Sequence, residues 1–352
     1  MSPTRPPADR SSGPRGLVTL RSVVETGLDV RFRLEPGDQP LVSTGERITA
    51  GSPVAAFLRE PSIRRTGYPR GALGRGSLGR GSHAPGPEPG LRWSEPPGRV
   101  DVPERVGEHL FEVGGRWRLV VGEAAPPIES PLGGTVESVV PGMEIRLRSP
   151  ARALHAAVVL GGPVRGRIQV VAAPGGEVRA SAIDVGRAGE ILVAGARIDA
   201  EALIRARAMG VRGVVVGGLS TKEQRDFLAS EARQRAARQP LPAFAVVILD
   251  GPLRRPIASP VMAVLQALQG HDVAILRDPP ALAFDVPEVE LPVPDPAIVR
   301  ILAGPLTGAE GRWAGEGGLR ASPGGISLET GLVDLPDGRR IAVPLGDLEA
   351  YA

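Results

Sequence analysis

Over most of this chain, short runs of alternating apolar and polar residues are broken by glycine and proline, and only from about residue 190 to residue 276 does the rhythm lengthen to strands alternating with helices. Period-two alternation fits half-buried strands and does not make a helix face. The chain is therefore expected to be multidomain and mainly β, with one central α/β region. Its 352 residues exceed one ordinary core, at roughly 100–200 residues per domain, so two to three domains are expected.

Residues 1–15 are polar and proline-containing, and are expected to be disordered. They lack the apolar core of a secretion signal, and no apolar run in the chain approaches the roughly 18 residues of a membrane helix. A cytoplasmic location with no membrane partner is expected. Residues 16–165 read as one split β domain, with strands from Gly16 to Leu58 and again from His109 onward. Between them, residues 61–103 turn to Arg, Gly, Pro and Ser, including RGALGRGSLGRGSHAPGPEPG, and are expected to form a flexible loop without a core.

Two stretches of this first domain, LVSTGERITAGSPVAAF and ESPLGGTVESVVPG, resemble the hairpin segments of barrel-sandwich hybrid domains, the group of the biotinyl and lipoyl carriers. The resemblance implies a rigid β scaffold over residues 16–150. Carrier chemistry needs a lysine amine on a hairpin, and the only lysine of the chain is Lys222. Biotinylation and lipoylation of the domain are therefore excluded.

Residues 166–285 carry the α/β rhythm. Strands are expected at EILVAGA, VRGVVV, AFAVVIL and DVAIL. Asp199 caps a helix with Ala200, Leu203, Ile204 and Ala208 on one face, and Gly210 stops it. Ser220 and Glu223 form a capping box for a helix from Thr221 that buries Phe227, Leu228, Ala232 and Ala236. Ser259 caps and Pro260 opens a third helix with Val261, Val264, Leu265 and Leu268 inward. Four strands joined by three helices predict a small parallel sheet. The run AGEILVAGARIDAEALIRARAMGVRGVVVGG resembles, in pattern, the swivelling or protease-associated type of α/β domain.

A Pro-rich linker, residues 286–296, precedes a last β module over residues 297–352. Its strand Ile298 to Leu302, its turn residues Gly304, Pro305, Gly308 and Gly311, and the closing LVDLPDGRRIAVPLGDLE resemble a KOW segment within an SH3-like barrel. That resemblance implies a module of ribosomal and transcription elongation proteins, and with it RNA or ribonucleoprotein binding. The charge of the module points elsewhere. Arg300, Arg312, Arg320, Arg339 and Arg340 are outnumbered by Glu310, Glu316, Glu329, Asp334, Asp337, Asp347 and Glu349. Nucleic-acid affinity depends on cations at phosphates, so the module is expected to dock onto protein. Any RNA affinity is expected to be weak, salt-sensitive and confined to the Arg/Gly loop.

With no cysteine in the sequence, disulfides, thiolate metal sites and cysteine nucleophiles are excluded. The four histidines are far apart, and no phosphate loop, nucleophile elbow or dinucleotide fingerprint occurs. No catalytic residue, metal or cofactor is expected. The one chemically suggestive place is the end of the VRGVVV strand, where Gly217, Gly218, Ser220, Thr221 and Lys222 lead into a helix. Asp250, Arg254 and Arg255 would share that rim if the two strands are neighbours. Helix N-termini and the carboxyl ends of parallel strands gather anions, which would make the protein an enzyme or small-anion sensor. The same residues also serve a simple turn and cap. The reading of the whole chain is a non-catalytic scaffold with a protein partner.

Overall fold

A computed structural model describes residues 19–34, 38–56, 58–69, 108–113, 116–124, 127–236, 243–322 and 324–351. The chain is mainly β, with three α-helices among the described residues. None of them is long and apolar enough to cross a membrane. The chain divides into two compact units, residues 27–150 and residues 1–26 together with 151–352.

In the first unit, strand Glu25–Arg33 buries Leu28, Val30 and Phe32 at every second position, as period-two alternation predicts. The two stretches quoted above lie against each other. Gly45 donates its backbone N–H to Val136, Val136 donates to Glu46, and Gly51 and Ser130 bond Ser130 and Ser52 in the same way. Short antiparallel pairings join Gln39–Pro40 to Pro53–Ala56, Pro53–Ala56 to Ile128–Glu129, and Arg47–Ile48 to Gly134–Val140. Gly45 and Gly51 turn with φ of +86° and +88°, a left-handed conformation that favours glycine. Val42, Ile48, Val54, Leu132, Val136, Ile145 and Leu147 fill the core.

Strand Leu58–Pro69 pairs with Arg116–Ala124, which also pairs with Glu108–Val113. Residues 61–69, expected in the loop, are thus a strand. The β-forming run RWRLVVGEA supplies the backbone partner that their own composition does not advertise. Residues 70–103 of the expected loop, and residues 1–15, lie outside the described residues.

The second unit is organised around a sheet whose parallel core runs Val164–Val170, Glu190–Val193, Gly213–Val216 and Ala245–Ile248. Helices α1 (Ala200–Ala208) and α2 (Thr221–Ala236) are the crossovers between its last three strands. The sequence placed Asp272–Arg277 as the fourth parallel strand. It is instead antiparallel to Val164–Val170, so the sheet is mixed. Helix α3 (Ser259–Ala267) is followed by only a tight turn at Gly270, which returns the chain in the reverse direction beside the first parallel strand. Val158–Gly161 and Pro280–Phe284 extend the sheet with further antiparallel pairings.

The strands read as continuous apolar runs because both faces are covered. Ile191, Val193, Val215 and Val247 meet α3 through Val261, Val264, Leu265 and Leu268, all inward as predicted. Leu192, Val214, Val216, Val246 and Ile248 meet α1 and α2. The faces of those two helices are rotated from expectation. In α1 the buried residues are Ala202, Leu203 and Ala206, and Ile204 is exposed. In α2, Phe227 and Ser230 are buried, while Leu228 and Ala232 face solvent. Small residues let α1 lie close to the sheet, and Phe227 anchors α2 against Phe244, with ring centroids 5.9 Å apart.

The last strands form an antiparallel meander, Ile298–Ile301, Glu310–Ala321, Ser327–Asp334 and Arg340–Pro344. A single 3-10 turn, Leu345–Asp347, then leads to Leu348–Tyr351, which returns to pair with Ile298–Ile301. Strand Thr19–Arg21 completes this sheet by pairing in parallel with the outer edge of Leu348–Tyr351.

Candidate functional site

Strands Gly213–Val216 and Ala245–Ile248 are neighbours, paired in register up to Val216 and Ile248. The rim that the sequence singled out is therefore assembled, with Gly217 and Gly218 beside Asp250. Leu219 bonds to Gly251, and Asp250 donates its N–H to Gly217.

The two glycines are buried because another loop lies directly on them. A Cβ on Gly217 would sit 2.4 Å from the carbonyl oxygen of Arg255, and one on Gly218 would sit 1.8 Å from that of Leu253. No side chain fits there. Ile257 donates to Pro174, and a Cβ on Gly195 would sit 2.4 Å from the Ala173 oxygen. The carboxyl ends of two neighbouring parallel strands, Glu190–Val193 and Gly213–Val216, are thus covered by the chain's own backbone.

The helix N-terminus next to the rim also has its anion. Glu223 accepts the backbone N–H of Ser220 at 3.1 Å and its hydroxyl at 2.8 Å, and the Glu223 N–H is 3.2 Å from the Ser220 Oγ. This is the predicted capping box, and it sets a carboxylate at the helix start, where the dipole favours one. Arg197 reaches the same carboxylate at 3.5 Å. Thr221 and Lys222 are exposed on the first turn, and Arg254 is exposed on the covering loop. Arg255 points away from the rim and donates to the Leu302 carbonyl at 2.9 Å.

Asp250 is engaged in a buried ionic cluster whose other members the sequence reading missed. Arg300, with its side chain 1% exposed, donates to Asp250 at 2.9 Å and to the Pro256 carbonyl at 2.6 Å. It also lies 3.5 Å from Glu349 and 3.4 Å from the Tyr351 hydroxyl, which in turn donates to Glu349 at 2.5 Å. Arg21 takes the second Asp250 oxygen at 3.0 Å. Burial alone would lower the Arg300 pKa, and Asp250, aided by Tyr351, more than reverses this and raises it. Burial, then Glu349, pushes the Tyr351 phenol upward, so it stays a neutral donor. The available signal for this cluster was Arg300 itself, a cation between Val299 and Ile301 in an otherwise apolar strand.

A second joint lies at α3. Its N-cap is Ala258 rather than Ser259, without a side-chain bond. Ser259 is the first helical residue, and both its backbone N–H, at 2.7 Å, and its hydroxyl bond to Glu310 of the meander. A carboxylate from a distant strand thus does what a local cap was expected to do. The glycines of the turn that follows Ile298–Ile301 have conformational and steric reasons. Gly304 and Gly308 take φ of +84° and +85°, with Pro305 exposed between them. A Cβ on Gly308 would sit 2.9 Å from the Pro256 ring, and one on Gly311 would sit 2.6 Å from the Asp334 oxygen.

Among the described residues no group of three or more His, Asp or Glu is placed to hold a metal ion. No protein-family model matches the chain, and no match is found among curated proteins.

Proposed function

We propose that the protein is a non-catalytic interaction scaffold of the cytoplasm, whose chain combines a barrel-sandwich hybrid-like unit with a second unit made of a mixed α/β core and an SH3-like meander. The packing of the 253–257 loop onto Gly217 and Gly218 carries this reading. The rim where an open parallel sheet would hold a substrate is filled by backbone and joined to the meander through Arg300 and Asp250.

The meander supports a protein partner over nucleic acid. Arg312 pairs with Asp295, Arg339 with Asp337 and Arg340 with Asp334, while Arg300 is buried. Cations already committed to carboxylates are poor phosphate ligands. Its far hairpin offers apolar surface instead. Leu319 is 71% exposed on one face of that hairpin, and Ile326, 64% exposed, with Leu328 on the other, as the pairing of Leu319 with Glu329 and of Arg320 with Leu328 requires. Both faces of the hairpin thus present apolar side chains to a partner.

The test is native co-purification of the tagged full chain, with and without nuclease. A protein that remains stoichiometric after nuclease treatment and moderate salt is the expected result. Nucleic acid that survives salt, or a tightly held small anion, would replace the scaffold reading.

A further inference from the structure

The strand Thr19–Arg21 closes one edge of the C-terminal sheet with a three-residue parallel pairing, Thr19 to Glu349 through Arg21 to Tyr351. It is among the shortest strands of that sheet, where Glu310–Ala321 spans twelve residues. Beyond the pairing, residues 19–24 are held by the side chains of Arg21 and Val23 and by the partly buried Val24, which packs against the α/β core. Arg21 reaches Asp250 at 3.0 Å and the carbonyls of His155 and Leu249 at 3.4 and 3.5 Å. Val23 is buried in the α/β core beside Leu154 and Tyr351.

Two features make this slot complete without its occupant. Asp250 keeps Arg300 on its other oxygen, so release of Arg21 leaves no bare buried carboxylate. The edge of Leu348–Tyr351 keeps its other neighbour, Ile298–Ile301. Charge supplies the selectivity. With the segment in place, Arg21 and Arg300 balance Asp250 and Glu349; without it, one guanidinium faces two carboxylates, a net charge of −1.

We propose that this slot is a peptide-binding groove which residues 19–24 occupy in cis, and which an extended segment of a partner protein takes over by strand addition. The ligand is an extended peptide with an arginine followed two residues later by a small apolar residue, the spacing of Arg21 and Val23. Backbone pairing to the open edge supplies affinity and the two side chains supply specificity, as in strand-addition recognition generally. The chain's own segment thereby gates the site. The proposal rests on reading the chain as an interaction protein, and it names the partner's chemistry.

The test uses the full chain and a labelled synthetic peptide of residues 17–26, read by fluorescence anisotropy. Arg21→Ala weakens the occupant in cis, so this variant binds the peptide about tenfold more tightly than the wild type does, the scale of one charge-assisted contact. A peptide with alanine in place of its arginine binds neither. An Arg21→Ala protein that melts cooperatively yet takes up no more peptide than wild type overturns the proposal. A concentration-dependent dimer in place of peptide uptake also overturns it, by making the occupant a second copy.

Should Arg21→Ala fail to fold, hydrogen exchange of the wild type decides. Amides of residues 21–24 are expected to exchange by local opening, well before those of Val246, Val247 and Ile248. Exchange of both sets at the same slow rate would mean that the segment never leaves. Failure of peptide binding alone leaves the scaffold reading standing, since that reading is decided by co-purification.

Discussion

Two charge clusters of the same meander behave as opposites. At the turn between its third and fourth strands, Arg340 grips Asp334 at 2.6 Å and Arg339 grips Asp337 at 2.7 Å, with all four side chains well exposed. At the other end, Arg300 holds Asp250 and Glu349 with nearly no exposure. The distances alone would rank the turn pairs as stronger. Solvent reverses that ranking: exposed pairs gain little over hydration, whereas a buried charge cannot lose its partner without being left desolvated. The buried cluster joins elements distant in sequence, and the exposed one tidies a hairpin.

Breaking the buried cluster should give the largest effect. Arg300→Ala leaves Asp250 with Arg21 alone and buried Glu349 with the Tyr351 hydroxyl in place of a cation, and a loss of about 3–5 kcal/mol in urea unfolding is expected. Replacing the buried charges together, Arg300→Met with Asp250→Leu and Glu349→Gln, should recover a large part of that loss, because no buried charge is then left unpaired and Arg21, 30% exposed, can turn to solvent. A triple variant as unstable as Arg300→Ala would mean that shape, not charge, dominates there.

Next comes the covered rim. Gly218→Ala must push away the Leu253 carbonyl, and about 1–3 kcal/mol of destabilisation is expected from overpacking. An unchanged midpoint in denaturant would show that the loop lifts easily, and would reopen the rim to ligands.

The smallest effect belongs to the exposed turn. Asp334→Ala should leave the melting midpoint essentially where it was. Asp337, which accepts the backbone N–H and then the guanidinium of Arg339, has its pKa held below the ordinary aspartate value. A depressed carboxylate stabilises the fold above its unfolded pKa, and that contribution fades as pH falls through the folded one. Only a slight loss confined to acid is expected for such an exposed group, measured as the difference between wild type and Asp337→Asn across pH. A large acid-dependent difference would contradict the ranking of the two clusters.

Much of the α/β layering was legible because period and capping chemistry are local. Asp199 caps α1 through the Ala202 N–H at 2.7 Å, and the Ser220–Glu223 box is formed as read. What escaped was long-range. That Asp272–Arg277 runs antiparallel depends on which strand it meets, which a one-dimensional pattern does not encode. Glu310 replaced Ser259 at the start of α3 from 51 positions away, and Thr19–Arg21 found its partner at the opposite end of the chain. The rim residues were brought together as the strand pattern implied, yet nothing local to GGLSTK revealed that the 253–257 loop would lie on them. Arg300 was visible only as an anomaly in an apolar strand, and its meaning depended on Asp250 and Glu349.

Charge between Arg300 and Asp250 joins the α/β sheet to the meander. A double-mutant cycle of Arg300→Met and Asp250→Ala, followed by urea unfolding of the full chain, measures that directly. The predicted coupling is about 2–3 kcal/mol, the upper range for residues in one buried network. A coupling near zero, with the single effects simply adding, would contradict the account.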